Sequence, residues 1–257
     1  MTTEYIEDLD EFDPPHPRAI LSNEPAMVAK DSKRGQATAV LCSAGLDSAV
    51  LLAVESSADA ERVRPIYISV GFAWETAELA ILDRLVASPP FVNIGKISKL
   101  NVDMRDIYTT SHWAVRGDPP AYDTPDSDVY LVGRNAMLLT KASAYCAHHG
   151  FDRIVLGTLA GNPFPDATPD FMNAMAQALS LGLAHGITIA TPLAEYRKPE
   201  VIKLGETLGV PFELTLSCMR PKGDKHCGLC SKCRERRDAF SETGICDPTK
   251  YAAKPPR

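Results

Sequence analysis

From Thr38 onward the chain alternates short apolar runs with longer amphipathic stretches, and few architectures accept that pattern. ATAVLC reads as a buried strand, and RPIYISV, DRIVLGT and ITIA as further strands. DSAVLLAVESS, AWETAELAILDRLVAS and GRNAMLLTKASAYCAHH carry apolar residues at helical spacing, the last of them ended by Gly150. TPDFMNAMAQALSLGLAHG adds a helix opened by a capping Thr168 and closed at Gly186, and KPEVIKLGETLG a short helix with Pro199 in its first turn. NVDM is read as part of a third strand, and Thr109 to Asp128 as a Gly/Pro/Asp-rich loop. Strands alternating with helices of this length imply an α/β fold, a parallel sheet covered on both faces. Ligands of such a sheet sit beyond the carboxyl ends of its strands.

The first of those carboxyl ends is Ser43-Ala44-Gly45-Leu46-Asp47-Ser48, running straight into a helix. Small residues let backbone approach an anion, and the N–H groups of a first helical turn, with the helix dipole, supply positive potential. The two serine hydroxyls can add hydrogen bonds, and Asp47 can hold Mg²⁺ against phosphate oxygens. No Gly-Lys-Ser/Thr follows, so this is not a Walker A loop, and it is not GxGxxG. A plain helix-capping turn would use the same residues; the place, at the first strand-to-helix turn, favours an anion.

The second constraint is Cys218-x8-Cys227-x2-Cys230-x2-Cys233. Seven cysteines behind an acidic, leaderless N-terminus argue for metal ligation rather than a disulfide framework. Four thiolates complete a tetrahedral Zn²⁺ and leave no open position, which makes the site structural; an iron–sulfur cluster is the competing occupant. Lys222, Lys225, Lys232 and Arg234 favour deprotonated ligands. His226 is surplus to the set and is taken as a surface residue, and Cys42, Cys146 and Cys246 as buried or inert thiols. The formal charge of -6 is unevenly spread: from Cys218 onward ten Lys/Arg face five Asp/Glu, and the acidic excess lies before it. Three parts follow: an acidic, loosely ordered arm over residues 1–36, the α/β domain over 37–216, and a basic zinc module over 217–257. No apolar run is long enough to span a bilayer, and a cytoplasmic protein is expected.

The loop resembles the SGGxDS loop of the PP-loop ATP pyrophosphatases, which cleave ATP between its α- and β-phosphates; Ala44 stands where that family usually has Gly. Leu131-Val132-Gly133-Arg134-Asn135 resembles the VPGRN motif of the 7-cyano-7-deazaguanine synthase (QueC) family, and Ile154-Val155-Leu156-Gly157 its next strand. Pro192-Leu193 with Lys198-Pro199-Glu200-Val201-Ile202 is similar to its P-L…K-A-E-I-V stretch. Leu216-Ser217-Cys218, the remaining cysteines and Arg236-x-x-Ala239-Phe240 resemble its zinc segment. The resemblance spans about Ala37 to Asp247 and implies a Rossmann-like sheet of the adenine nucleotide alpha hydrolase type. It also implies the reaction: ATP adenylates 7-carboxy-7-deazaguanine, ammonia forms the amide, and a second adenylation dehydrates it to the nitrile. ATP, Mg²⁺ and Zn²⁺ are the implied cofactors and a homodimer the implied assembly.

On that resemblance Ser43, Ala44, Gly45, Leu46, Asp47, Ser48, Arg134 and Gly157 bind nucleotide, and Asp47, Ser48 and Lys198 act in catalysis. Glu75, Asn135, Asn162 and Asp166 are the substrate-binding candidates, and capping or loop hydrogen bonding are their alternative uses. The chain departs from the family where ligands are contacted: Ala167-Thr168 replaces Cys-Arg after Pro165-Asp166, and Gly71-Phe72-Ala73-Trp74-Glu75 replaces a Gln/Arg/His-containing stretch. Trp74 could stack on a base, although a core position suits it better. A divergent member could therefore pass the activated carboxylate to a different amine, one on a protein or nucleic acid. Two further alternatives are a PP-loop tRNA-modifying enzyme, with Cys42 as sulfur carrier, and a non-catalytic zinc-binding module. The acidic body makes direct nucleic-acid binding unexpected.

Overall fold

The computed structural model describes residues 37–256, so the expected arm over residues 1–36 lies outside the described residues. The sheet opens with β1 (Thr38–Leu41), whose four residues are all buried, as a strand covered on both faces must be. It is followed by α1 (Leu46–Asp59), β2 (Val63–Ser69), α2 (Glu75–Val86) and β3 (Ser98–Asn101). A short helix α3 (Trp113–Arg116) precedes α4 (Arg134–His149), β4 (Arg153–Val155), α5 (Pro169–Leu183), β5 (Thr188–Ala190), α6 (Lys198–Thr207) and α7 (Ser231–Thr243). All strand pairs are parallel, in the order β3-β2-β1-β4-β5.

That order reverses at β1. The chain moves one way from β1 to β2 and β3, then crosses back to β4 and β5, so right-handed crossovers put α1 and α2 on one face and α4 and α5 on the other. The loops after β1 and β4 consequently splay apart, and a crevice opens between them. α1 is buried through a continuous run from Ser48 to Ala53 because α6 covers its outer side. The crossing is close enough to demand glycine: a Cβ on Gly205 would stand 2.6 Å from Val50 Cγ2 and 2.7 Å from the Phe212 ring.

Four local expectations change. The third strand is Ser98–Asn101, so NVDM contributes only its first residue; its alternation of half-buried and exposed positions is that of an edge strand and gives no continuous apolar run. β4 is shorter than DRIVLGT, and Gly157 and Thr158 leave the ladder to line the crevice. Thr168 caps α5, accepting the Phe171 N–H at 3.3 Å, but the helix closes at Ala184 with φ +48°, two residues before Gly186. The loop from Thr109 to Asp128 contains α3. Among the described residues no helix is long and apolar enough to cross a membrane.

Candidate active site and metal centre

The loop after β1 keeps its shape through its own residues. Ser48 Oγ accepts the Ser43 N–H at 3.3 Å and donates to Gly45 O at 2.9 Å. Gly45 precedes α1 with no side-chain cap, which leaves the N–H groups of the first turn for a ligand. Ala44 adopts φ +57°, a left-handed conformation that costs a non-glycine residue about 1–2 kcal/mol. This accounts for the glycine that the family prefers here. Ala44 is fully buried and is not among the residues lining the cavities described below, so its methyl does not obstruct a ligand there. Its carbonyl accepts the Leu216 N–H at 2.8 Å, tying the loop to the segment that leads into the cysteine cluster.

Asp47 Oδ2 lies 2.5 Å from Lys198 Nζ, and its Oδ1 is buried with no hydrogen-bond partner among the described residues. Lys198 also reaches Glu235 at 2.9 Å, and Glu235 reaches Lys232 at 2.6 Å. Burial alone would lower the Lys198 pKa, but the two carboxylates outweigh it and hold the ammonium above the usual lysine range. Burial likewise opposes ionisation of Glu235, yet the two lysines bring it down to about 2. Asp47 lines the cleft, and its orphaned, buried oxygen is the feature a divalent cation would satisfy.

The crevice holds a cavity of about 280 Å³ between the β1 and β4 loops and the start of α4. Ser43, Gly45, Asp47, Ser48, Arg134, Asn135, Gly157, Asn162 and Asp166 all line it. Leu46 is buried beneath the loop and faces an adjoining cavity of about 260 Å³, which Lys198 also lines. Arg134 faces both spaces, and its Nε is buried without a partner among the described residues. Asn135 and Asp166 form one unit: the Asn135 N–H donates to Asp166 Oδ2 at 3.1 Å and its Nδ2 donates to the Asp166 carbonyl at 3.1 Å. Burial raises the Asp166 pKa. Asn162 Oδ1 accepts the Phe164 N–H at 2.9 Å and so shapes its own loop. Thr168, in the place of the family arginine, is occupied in capping α5.

The structure does not bring Glu75 into this group. Its carboxylate accepts hydrogen bonds from Ser69 Oγ at 2.5 Å, from Val70 N–H at 2.7 Å and from Gly71 N–H at 3.1 Å, closing the turn after β2. Trp74 is largely buried and stacks on Trp113 with ring centroids 5.9 Å apart, and both rings line the adjoining cavity.

Glu78, one helical turn further along α2, is the acid that faces the site, and sequence reasoning missed it. It accepts from the Tyr67 hydroxyl at 3.0 Å. Its pKa is pushed up to about 7, chiefly by burial, against the opposing pull of Arg134 and Tyr67. A carboxyl held above its unfolded value of 4.5 binds its proton more tightly in the fold. Its contribution to stability is present below 4.5 and is lost as pH rises through about 7. Glu78→Gln therefore flattens this loss. In chemical denaturation at pH 5 and pH 8 the parent should lose up to about 3 kcal/mol more than the variant between the two pH values. An equal change in both proteins would remove Glu78 as the cause.

The four cysteine ligand atoms lie within 4.8 Å of one another and are all buried. The Cys227–Cys233 and Cys230–Cys233 sulfur separations are 3.8 Å and 3.5 Å, near the edge of about 3.8 Å expected for a tetrahedral ZnS₄ centre. Cys218 Sγ accepts the Cys227 and Arg220 N–H groups at 3.1 and 3.3 Å, and Cys227 Sγ accepts the Leu229 N–H at 3.3 Å. Such bonds favour thiolates. Spacing, donor type and surroundings all fit a resident metal ion. His226 is not a surface residue: it is buried, its Nε2 accepts the Ser217 N–H at 3.0 Å, and burial followed by Arg236 lowers its pKa to about 3. Arg236 anchors the module from α7, donating to Thr215 and Ser217 hydroxyls, to Thr249 and to the Phe212 carbonyl.

A family model described as queuosine biosynthesis protein QueC matches residues 37–244. The chain is 32% identical over 223 residues to the 7-cyano-7-deazaguanine synthase of Methanothrix thermoacetophila, covering 82% of this chain and 96% of that protein. It is 34% identical over 229 residues to the 7-cyano-7-deazaguanine synthase of Methanopyrus kandleri, covering 83% and 98%. The matched span carries both the phosphate-type loop and the four cysteines, and the chain belongs to the QueC family.

Proposed function

We propose that the chain makes 7-cyano-7-deazaguanine from 7-carboxy-7-deazaguanine, ammonia and two molecules of ATP. The names of its relatives support this reading, and one observation carries it to the site: Asp47, with one oxygen on Lys198 and the other buried without a partner, lines a cavity beside uncapped helix N–H groups. The substrate carboxylate attacks the α-phosphate of ATP and pyrophosphate leaves. Ammonia adds to the acyl adenylate, and AMP departs with one carboxylate oxygen. The amide oxygen attacks a second ATP, and loss of AMP and protons leaves the nitrile, so both oxygens end in AMP.

The N–H groups from Ser43 to Ser48 would hold the leaving pyrophosphate, and Lys198 and Arg134 would offset its charge. Asp47 would hold Mg²⁺, which supplies charge neutralisation on the phosphates. The unit of Asn135 and Asp166, with Asn162, would read the deazapurine; Glu78 joins Arg134 on the cavity wall. Cys218, Cys227, Cys230 and Cys233 would hold Zn²⁺ as a structural ion. We assign the ATP domain to residues 37–216 and the metal module to 217–257.

The test is incubation with Mg²⁺, ATP, ammonium and the carboxylate labelled with ¹⁸O, followed by mass spectrometry. Nitrile and ¹⁸O-labelled AMP are expected. Unlabelled AMP alone, or neither product, would overturn the reading.

A further inference from the structure

Lys232 is the second residue of α7 and stands between the candidate ligands Cys230 and Cys233, so a metal held there would fix its backbone against Cys218 and Cys227. It lines two cavities. One, of about 260 Å³, is lined by Ser43 and Gly45 of the loop after β1 and by Leu216 to Met219; the other, of about 340 Å³, lies against the loop from Leu159 to Phe164. Asp47, Lys198 and Glu235 line the same two spaces. The four side chains form a series of alternating charge, Asp47 to Lys198 to Glu235 to Lys232, joined at 2.5, 2.9 and 2.6 Å.

With nothing bound, two carboxylates balance two ammonium groups. A divalent cation held at the unpartnered Oδ1 of Asp47 would draw on that carboxylate's charge and leave Glu235 as the main counter-charge to two lysines. Positive potential would then lie on the α7 side of the cleft, beside the loop after β1. Lys232 is the more exposed of the two lysines, at 28% against 19%, and the contacts described give it a single carboxylate partner where Lys198 has two. Its remaining ammonium protons are free to reach an incoming phosphate oxygen.

We propose that Lys232 is a phosphate-binding residue of the ATP site, contributed by the metal-stapled module and directed at the part of ATP that leaves as pyrophosphate. Glu235 is the positioning residue that holds Lys198 and Lys232 apart and aimed. This rests on the reading above that the chain turns over ATP. The cysteine module then has a second role besides stability, because its first helical turn completes the anion site.

Two measurements test this on the full chain loaded with metal. Calorimetric titration with inorganic pyrophosphate and Mg²⁺ reads the site without any turnover, and pyrophosphate release reads KM for ATP and kcat. Lys232→Ala should weaken pyrophosphate affinity about tenfold or more and raise KM for ATP by a similar factor, with kcat changed less. Lys232→Arg should recover most of the affinity; Lys232→Gln, which keeps a long stem without charge, should not. Metal content and unfolding midpoint should match the parent. Parent-like pyrophosphate affinity in the Ala and Gln variants overturns the proposal. A parent that binds pyrophosphate through Lys232 but releases none from ATP would instead overturn the functional reading and leave the anion site standing.

Discussion

Asp47→Asn should reduce pyrophosphate release at saturating Mg²⁺ and ATP by about 10²–10³-fold or more, with little change in thermal stability. The substitution keeps the shape of the side chain and removes its charge. Lys198 retains Glu235 at 2.9 Å and stays paired, so no buried ammonium is abandoned. The free Oδ1, now part of a neutral amide, no longer attracts a divalent cation. Steady-state release with circular dichroism and an unfolding curve as controls decides the matter. Activity within tenfold of the parent would show that Asp47 serves only to anchor Lys198.

Cys230→Ser should cost more than activity. The binding energy of a structural zinc site is about 10–16 kcal/mol, and three sulfurs leave the centre incomplete. The variant should lose its metal, and the unfolding midpoint should fall by about 10 °C or more. Prolonged exposure of the parent to a strong chelator should reproduce both effects. Arg236 and the Ala44–Leu216 bond join the module to the loop after β1, so turnover should disappear with the metal. Metal content by elemental mass spectrometry, together with proteolysis between Leu216 and Cys246, reads the outcome. An unaltered midpoint in a metal-free variant would mean that side-chain packing alone holds the module.

The loop from Ser43 to Ser48 and the four cysteines were legible because each is a local arrangement: small residues at a strand end, thiols at short spacing. Asp47, Arg134, Asn135, Asn162, Asp166 and Lys198 converge because parallel strands end on one side, a consequence of the strand–helix alternation. What the sequence hid depends on direction within an element. Glu75 and Glu78 sit on the same helix three positions apart, yet the first closes a turn and the second faces the cavity. Nothing in their neighbours separates them before α2 is docked. α7 was hidden as well, inside a segment read only as a basic metal module; the burial of Arg236 shows that one of those charges is an internal strut. His226 misled for the same reason, a polar side chain whose partner, Ser217, is backbone nine residues away.

The pairing of Asp47 with Lys198 spans 151 positions. During synthesis the anion loop therefore leaves the ribosome long before the lysine that balances it, and Glu235 emerges later still. A chain that ends before α6 has neither the cover of α1 nor Lys198 beside Asp47. On the proposed function, a chain that stops before Lys198 would lack the cation that balances Asp47 in the cleft.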